Sequence, residues 1–415
     1  ILEFRNKGQS SNELKLKIQK LFDEAKEKWQ GVFSTDAKIE LSPSHLSVCV
    51  SSLHDVKLFN SNLHVIDEAF EYLVNKSSKA EKGQFFTPRH VIDMCVKMLN
   101  PKKGEHMMDT AAGSCGFPVH TIFHITNKLF QNAEIPESEK ENVLKIFGID
   151  FDEKAVRVSR TLNLIAGDGE TNVLHLNTLD YKRWGEVKKN ETWWANYNGA
   201  FNRMLKLQEN KNDYQKFNFE ILMANPPFAG DIKESTIIHN YNLGFTDKNK
   251  AKPNVGRDIL FIERNLDFVR PGGRLAIVLP QGRFNNPSDE NIRDYIFEHA
   301  RVLGVVSLGI NTFKPHTGTK TSVIFLQKWN DDNSNPTYYC PRQKDYPIFF
   351  SVSQKPGKNN SGDYVYIEDK TGSKKIDKYG HFIIDHDLHN HDREISDRIA
   401  EEFIKWAQKE KLTFV

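Results

Sequence analysis

The chain has 415 residues, a formal net charge of +2, 38% hydrophobic and 27% charged residues, so it can bury one large core plus a smaller domain, and any nucleic-acid binding must use a local patch rather than a global field. No apolar run approaches the roughly 20 residues that span a bilayer. The four cysteines, Cys49, Cys95, Cys115 and Cys340, form no CxxC pair, which argues against a zinc site or a disulfide framework and predicts a reducing cytoplasm.

Near-helical spacing of Leu14, Ile18, Leu21, Phe22, Ala25 and Trp29, repeated at Val65, Ala69, Phe70 and Leu73, predicts a helical region over about 1–80, with a polar linker at Ser77 to Lys82. The chain opens on Ile1 and its first residues read as the middle of something, so a fragment of a longer polypeptide is expected. From about Gly83 strands and helices alternate. The predicted strands are Glu105–Asp109, Ile146–Asp150, Asn172–Leu176, Glu220–Ala224, Arg274–Leu279, Val302–Leu308 and Ser322–Gln327. The predicted helices include Val91–Leu99, Glu153–Ala166, Ile259–Val269 and Glu290–His299. This alternation predicts an α/β fold, a doubly wound and mostly parallel sheet with helices on both faces. The last two strands lack a crossover helix between them, which permits an antiparallel pair. Tyr181–Phe219 and Asp231–Arg257 read as long polar loops. After Trp329 the composition turns polar, and Ile395–Gln408 is again amphipathic, so residues 331–415 read as a C-terminal extension.

Three strand ends carry candidate chemistry. Asp109-Thr110-Ala111-Ala112-Gly113-Ser114-Cys115-Gly116 is an acid followed by a small-residue loop that opens a helix. Such a loop lets a ligand approach the backbone, and the helix start adds N–H donors. It is not GxGxxG, and a plain tight turn is the competing reading. Asp150 ends the second strand, where a ribose would lie. Asn177 and Asp180 follow the third. Beyond the fourth strand stands Asn225-Pro226-Pro227-Phe228. Two prolines stiffen that turn, so an amide, backbone carbonyls and an aromatic ring are presented together, suited to accepting hydrogen bonds from an exocyclic amino group while stacking on its ring. An ordinary turn with a packing Phe is the alternative. Trp193-Trp194 reads as a packing pair rather than a stacking platform. Asp385–Asp392 matches no standard metal spacing and reads as a polar lead-in to a helix.

Taken in order, Gly83-Gln84-Phe85-Phe86-Thr87-Pro88-Arg89, the Asp109–Phe117 loop, Asp150, Asn225-Pro226-Pro227-Phe228 and Phe313–Ser322 resemble the N6-adenine DNA methyltransferases, specifically the modification subunit of Type I restriction–modification systems. The resemblance covers about residues 60–330, and the ends look like versions fused to nuclease and recognition parts. It implies a seven-stranded class I S-adenosylmethionine-dependent methyltransferase domain over 81–330. Under it Phe86 and Thr87 lie near the methionyl end of S-adenosylmethionine, and Asp109, Ala111, Gly113, Ser114 and Gly116 form the cofactor loop. Asp150 binds the ribose hydroxyls, and Asn177, with Asp180 as its rival, meets the adenine of the cofactor. Asn225, Pro226, Pro227 and Phe228 handle the target adenine, and no metal is implied. Thr110 and Cys115 depart from the usual Pro and Gly, and Cys115 is expected to weaken cofactor binding. The implied partners are double-stranded DNA, a specificity subunit or fused recognition domain, and a restriction subunit or fused nuclease, with no membrane. DNA contact is expected from Lys182-Arg183, Lys188-Lys189, Arg203, Lys206, Lys211 and Lys216, from Lys248, Lys250, Lys252 and Arg257, and from Lys314, His316 and Lys320. Two other readings stay open: a protein or ribosomal-RNA N-methyltransferase with the same Asn-Pro-Pro turn, and a non-catalytic scaffold that binds the cofactor.

Overall fold

A computed structural model describes residues 4–29, 32–33, 36–53, 86–126, 137–165, 172–211, 213–376, 382–391 and 396–415. The predicted linker at Ser77 to Lys82, the second N-terminal helical stretch and Gly83-Gln84-Phe85 lie outside them. The first predicted helix is α1 (Ser11–Lys28), started by a capping box in which Ser10 accepts from the Glu13 N–H and Glu13 accepts from the Ser10 N–H. It packs on a helix the sequence did not disclose, α2 (Pro43–Leu53), through Leu14, Ile18, Leu46 and Val50. The Ser-rich composition of α2 hides its one apolar stripe.

The centre is an eight-stranded sheet. Its strands are β1 (Met107–Asp109), β2 (Ile146–Asp150), β3 (Val173–His175), β4 (Phe219–Ala224), β5 (Val269–Pro280), β6 (Ala300–Ser307), β7 (Thr321–Lys328) and β8 (Phe349–Val352). They lie in the order β8-β6-β7-β5-β4-β1-β2-β3. All seven predicted strands form. The count of seven is corrected to eight by β8, which pairs parallel to β6 at the edge. Its Phe350 and Val352 are exposed, so no burial pattern marks it in the sequence. β7 runs antiparallel between β5 and β6, and the other neighbours are parallel. A short connection lets β6 turn back into β7, as expected without a crossover helix.

Successive residues of a strand face opposite sides of the sheet. Met108, Leu222 and Ala224 face one layer with helices α5 (Glu153–Ile165), α6 (Glu191–Leu205), α7 (Arg257–Phe268) and α8 (Glu290–His299). Met107, Ile221 and Met223 face the other, with α3 (Arg89–Leu99), α4 (Gly116–Thr126) and α9 (Ile399–Lys409). The segment read as a loop over Tyr181–Phe219 thus contains the crossover helix α6. Trp193 is buried there and donates its indole N–H to His175 O at 2.8 Å, in line with packing rather than stacking. Asp231–Arg257 is likewise packed, with Ile237, Ile238, Tyr241, Leu243 and Val255 in the core. Its few apolar residues are spaced too irregularly to signal an element.

One buried charge ties this frame together. Arg274 on β5 is 2% exposed and makes two bonds to Glu105, at 2.7 and 2.8 Å, and two to Leu99 O and Asn100 O at the end of α3. Removing one partner of such a pair leaves the other charged and desolvated. Arg274→Ala is expected to lower unfolding stability by about 3–5 kcal/mol, read from denaturant titration, whereas a double change that also neutralises Glu105 recovers part of the loss.

Candidate active site

In a doubly wound sheet, ligands lie beyond the carboxyl ends of the parallel strands, where the strand order reverses. Here the order reverses between β1 and β4. The parallel register sets Met107 and Met108 of β1 beside Ile221 and Leu222 of β4. The Asp109 loop and the Asn225 turn therefore leave neighbouring strands at the same edge of the sheet. Asp109 is level with Gly148, and Asp150 with His175.

The loop after β1 is held from three sides. Gly113 N–H donates to Asp150 Oδ2 at 2.8 Å, and Ala112 N–H to Ile149 O at 2.9 Å. Thr178 donates its hydroxyl to Thr110 O at 2.7 Å, joining the Asn177–Asp180 turn to the loop. Ser159 on α5 donates to Gly113 O. Gly113 has φ +52°, and a Cβ there would meet nothing within 4 Å, so the backbone borders open space. Ser114 is half-buried in the turn, and Gly116 opens α4 with Ile92 of α3 against it. That contact sets the first turn of α3, headed by half-buried Phe86 and Thr87, beside the loop.

The two departures find physical roles. Thr110 donates its hydroxyl to Asn265 Oδ1 on α7 at 2.6 Å, a tie that Pro cannot make. Cys115 has φ +63°, a conformation that costs a non-Gly residue roughly 1–2 kcal/mol. Its thiol is fully buried, with Ser159 and Asn163 as hydrogen-bonding neighbours, and burial pushes its pKa up. The added side chain thus enters the core and leaves the face of the loop that Gly113 opens.

Burial pushes the Asp109 carboxyl well above the ordinary carboxylate range. The Ala111 N–H, 3.1 Å away, opposes this, and the charge of Asp150 adds to it. Asp150 is also raised by burial, against the N–H groups of Asp152 and Gly113. Its two oxygens each hold one backbone donor, and a carboxylate oxygen has a further lone pair for a ligand hydroxyl. Asn177 Oδ1 accepts from Leu179 N–H at 3.1 Å and caps its own turn, which leaves its NH₂ as the group to offer. Asp180 is half-buried and raised by burial, with Arg183 opposing and Glu186 and Glu234 adding. It retains carboxylate acceptors for an amino group.

Asn225 and Phe228 are half-buried and Pro226 is buried. Phe228 meets Phe313 edge to face, with ring centroids 5.9 Å apart. Several basic residues expected at DNA serve the fold instead. Arg203 donates to Asn172 Oδ1 at 2.9 Å, Lys252 to Leu243 O at 3.0 Å and Lys314 to Asn360 O at 3.1 Å. Lys211, Lys248, Lys250 and Arg257 are exposed. Sequence reasoning missed the buttress of the site, Arg264 on α7. It is fully buried, donates to Thr178 O at 3.0 Å and Tyr214 O at 2.8 Å, and lies over the Tyr181 and Phe268 rings. The signal was the polar run Glu263-Arg264-Asn265 directly after the apolar Ile259–Ile262.

Residues 61–412 match the profile of the N-6 DNA Methylase family. The chain belongs to that family. Among curated relatives of this chain are the Type I restriction enzyme EcoEI methylase subunit of Escherichia coli, 24% identical over 67% of this chain and 50% of the relative, and the EcoKI methylase subunit of E. coli strain K12, 22% identical over 75% and 54%. The chain spans about half the length of these relatives. In fold it is similar to a modification subunit of a putative type I restriction enzyme from Vibrio vulnificus, with TM-score 0.54, 17% identity, and 83% of this chain and 61% of that one covered. It is also similar to a putative class I S-adenosylmethionine-dependent methyltransferase from Listeria monocytogenes, with TM-score 0.50, 13% identity and coverage of 83% and 89%. Among the described residues no helix is long and apolar enough to cross a membrane, and no three metal-ligating side chains are placed to share an ion.

A carboxyl whose folded pKa is raised destabilises the fold above that pKa, and the penalty disappears as pH falls towards the unfolded value of 3.8. Asp109→Asn is therefore expected to raise the thermal midpoint at neutral pH. The gain should shrink to nothing as pH approaches 3.8, which parallel melts of both proteins check.

Proposed function

We propose that this chain carries the catalytic core of a DNA adenine N6-methyltransferase of the Type I modification-subunit kind. The observation that carries the reading is the shared strand edge at β1 and β4. It sets a small-residue loop with two carboxylates beside a rigid Asn-Pro-Pro-Phe turn in a member of the N-6 DNA methylase family. S-adenosylmethionine fits the donor set: open backbone at Gly113, acceptors at Asp150 for two vicinal hydroxyls, and an amide and a carboxylate at Asn177 and Asp180 for an adenine edge. Phe86, Thr87, Asp109, Ala111, Ser114 and Gly116 complete the cradle. When bound, this cofactor supplies an electrophilic methyl group on a sulfonium.

The chain's own part is to make an adenine amino group reactive. Its lone pair is conjugated with the ring and poorly available. Asn225 Oδ1 and Pro226 O accept the two amino hydrogens, which favours a pyramidal nitrogen. Pro226 and Pro227 fix both acceptors, so little reorganisation accompanies reaction. Phe228, steadied edge to face by Phe313, stacks on the base. The amino group cannot be reached inside a duplex, so the base leaves the stack first. No strong base is needed, because the proton is lost after the nitrogen has gained its substituent.

The partners we assign are double-stranded DNA, a specificity subunit or fused recognition domain, and a restriction subunit or fused nuclease. The compartment we assign is the cytoplasm. Asn225→Ala is expected to keep S-adenosylmethionine binding and to lose at least about 10²–10³-fold in transfer to adenine. Calorimetry and mass spectrometry of N6-methyladenine, on the chain with its specificity partner, measure the two. Normal transfer by the variant sinks the mechanism. Cofactor binding by the unmodified chain without transfer to any DNA favours a scaffold.

A further inference from the structure

A cavity of about 210 Å³ lies between α3 and residues 382–391, and the inference drawn from it does not rest on the reading above. Its walls include Arg89, His90, Asp93 and Lys97 from α3 and His386 and His389 from the C-terminal segment. The imidazoles crowd together. His386 stacks on His90 with ring centroids 5.1 Å apart and lies 4.4 Å from His389 and 4.5 Å from His391.

A carbonyl oxygen only accepts. His90 Nε2, 3.0 Å from Pro356 O, therefore carries that ring's proton. His389 Nδ1 lies 3.1 Å from Asn390 O and 3.5 Å from the Lys97 ammonium, which also donates to Asn390 O at 3.0 Å. The remaining nitrogens, His90 Nδ1 and His389 Nε2, are buried without a hydrogen-bond partner, and so are Asn390 Oδ1 and Arg89 Nη1. His389 Nε2 is 3.8 Å from Asp93, beyond hydrogen-bond reach. His90 is 2% exposed and His389 8%. Orphaned polar atoms in such surroundings are costly, and a polar cavity of this kind calls for a polar occupant.

The charge around the rings decides which occupant. Lys358 acts on His90, Lys97 on His389 and Arg398, ahead of α9, on His386, while Arg89 lines the cavity. The facing acids are engaged elsewhere. Asp93 is held by His120 Nδ1 of α4 at 2.7 Å and by Arg89 Nε at 3.7 Å. Asp387 accepts from the Ser353 hydroxyl at 2.6 Å and Gln354 N–H at 2.7 Å. Glu401 of α9 binds Lys97 at 3.4 Å and Asn390 N–H at 2.9 Å. With these acids bonded within the protein, the unpartnered donor that faces the rings' cavity is Arg89 Nη1, which suits an anion.

We propose that this cavity binds an oxyanion of the phosphate class. Arg89 Nη1 donates to it directly. His90 Nδ1, the acceptor of its neutral ring, becomes a donor by taking up a proton as the anion enters, and His389 Nε2 donates to the anion from the protonated ring. Asn390 Oδ1 accepts from the hydroxyl that a monobasic phosphate retains. In the ligand-free protein, burial holds His90 down to about 4 and His389 down to about 3. An anion moves both values up, so affinity rises as pH falls, by about tenfold per pH unit for each proton taken up.

The test is calorimetric titration of the whole chain with inorganic phosphate from pH 7.5 to 5.5, at constant ionic strength and in two buffers of different ionisation enthalpy. Saturable binding with net proton uptake, tightening about tenfold or more per pH unit, is expected. His90→Gln and His389→Gln should each weaken it at least tenfold, with thermal melts checking the fold. If a variant unfolds, imidazole NMR of the unmodified chain replaces it: phosphate should raise the titration midpoints of His90 and His389. Displacement of phosphate by a nucleoside monophosphate, whose monoester keeps a hydroxyl when singly charged, would identify a phosphomonoester as the natural source, and indifference to it would identify free phosphate. No saturable binding at pH 5.5, binding that loosens on acidification, or equal binding of chloride would overturn the proposal.

Discussion

The hydrogen bond from Gly113 N–H to Asp150 Oδ2, 2.8 Å long, is the constraint on which the rest of the site depends. It joins the loop after β1 to the end of β2, so the backbone reverses into α4 at one fixed place. Everything else in the cradle is referred to it. Ser159 holds the Gly113 carbonyl from beneath, Thr178 holds Thr110, and Asn265 receives the Thr110 hydroxyl. Gly113 needs positive φ for this path. Cys115 takes positive φ as well and bears the strain, because its thiol fills space beside Gly148, where an added Cβ would come within 3.3 Å of the sulfur.

The cost of the arrangement is electrostatic. Asp109 is buried and Asp150 half-buried; burial raises both carboxyls, with the charge of Asp150 adding to the shift at Asp109 and that of Asp152 to the shift at Asp150. A site that faces a ligand's hydroxyls and positive charge has reason to hold unneutralised acid there, and the surrounding fold must be stable enough to carry it. Buried pairs elsewhere, notably Arg274 with Glu105 and Arg283 with Asp258, are closed by good geometry. The contrast between satisfied and unsatisfied buried charge separates frame from site.

The C-terminal residues are part of this frame. α9 covers the same face of the sheet as α3 and α4, β8 extends its edge, and the carbonyl of Pro356 receives His90 at the start of α3. The histidine-lined cavity exists only because the last sixty or so residues fold back onto the helix that follows Thr87. A ligand there would be felt at the first turn of α3, next to the loop that Gly116 opens.

Strand periodicity, the Asn-Pro-Pro-Phe turn and the two strand-end acids were legible in the sequence because each is a local pattern: apolar runs of fixed length, prolines that forbid helix and ladder, and an acid where a strand stops. α6 and β8 were not. Their apolar residues are interrupted by polar ones, and only the neighbours they pack against make them regular. The basic loop residues divide for the same reason, since Arg203 and Lys252 are structural only once Asn172 and the Leu243 carbonyl arrive beside them. By itself the sequence determined the alternating fold, the candidate residues and the family. Tertiary structure decided which of those residues share one edge of the sheet, that the Cys115 thiol points into the core, that Arg264 buttresses the loop, and that His90 meets the three histidines of residues 386–391. Such facts depend on contacts between segments far apart in the chain, and no local pattern encodes them.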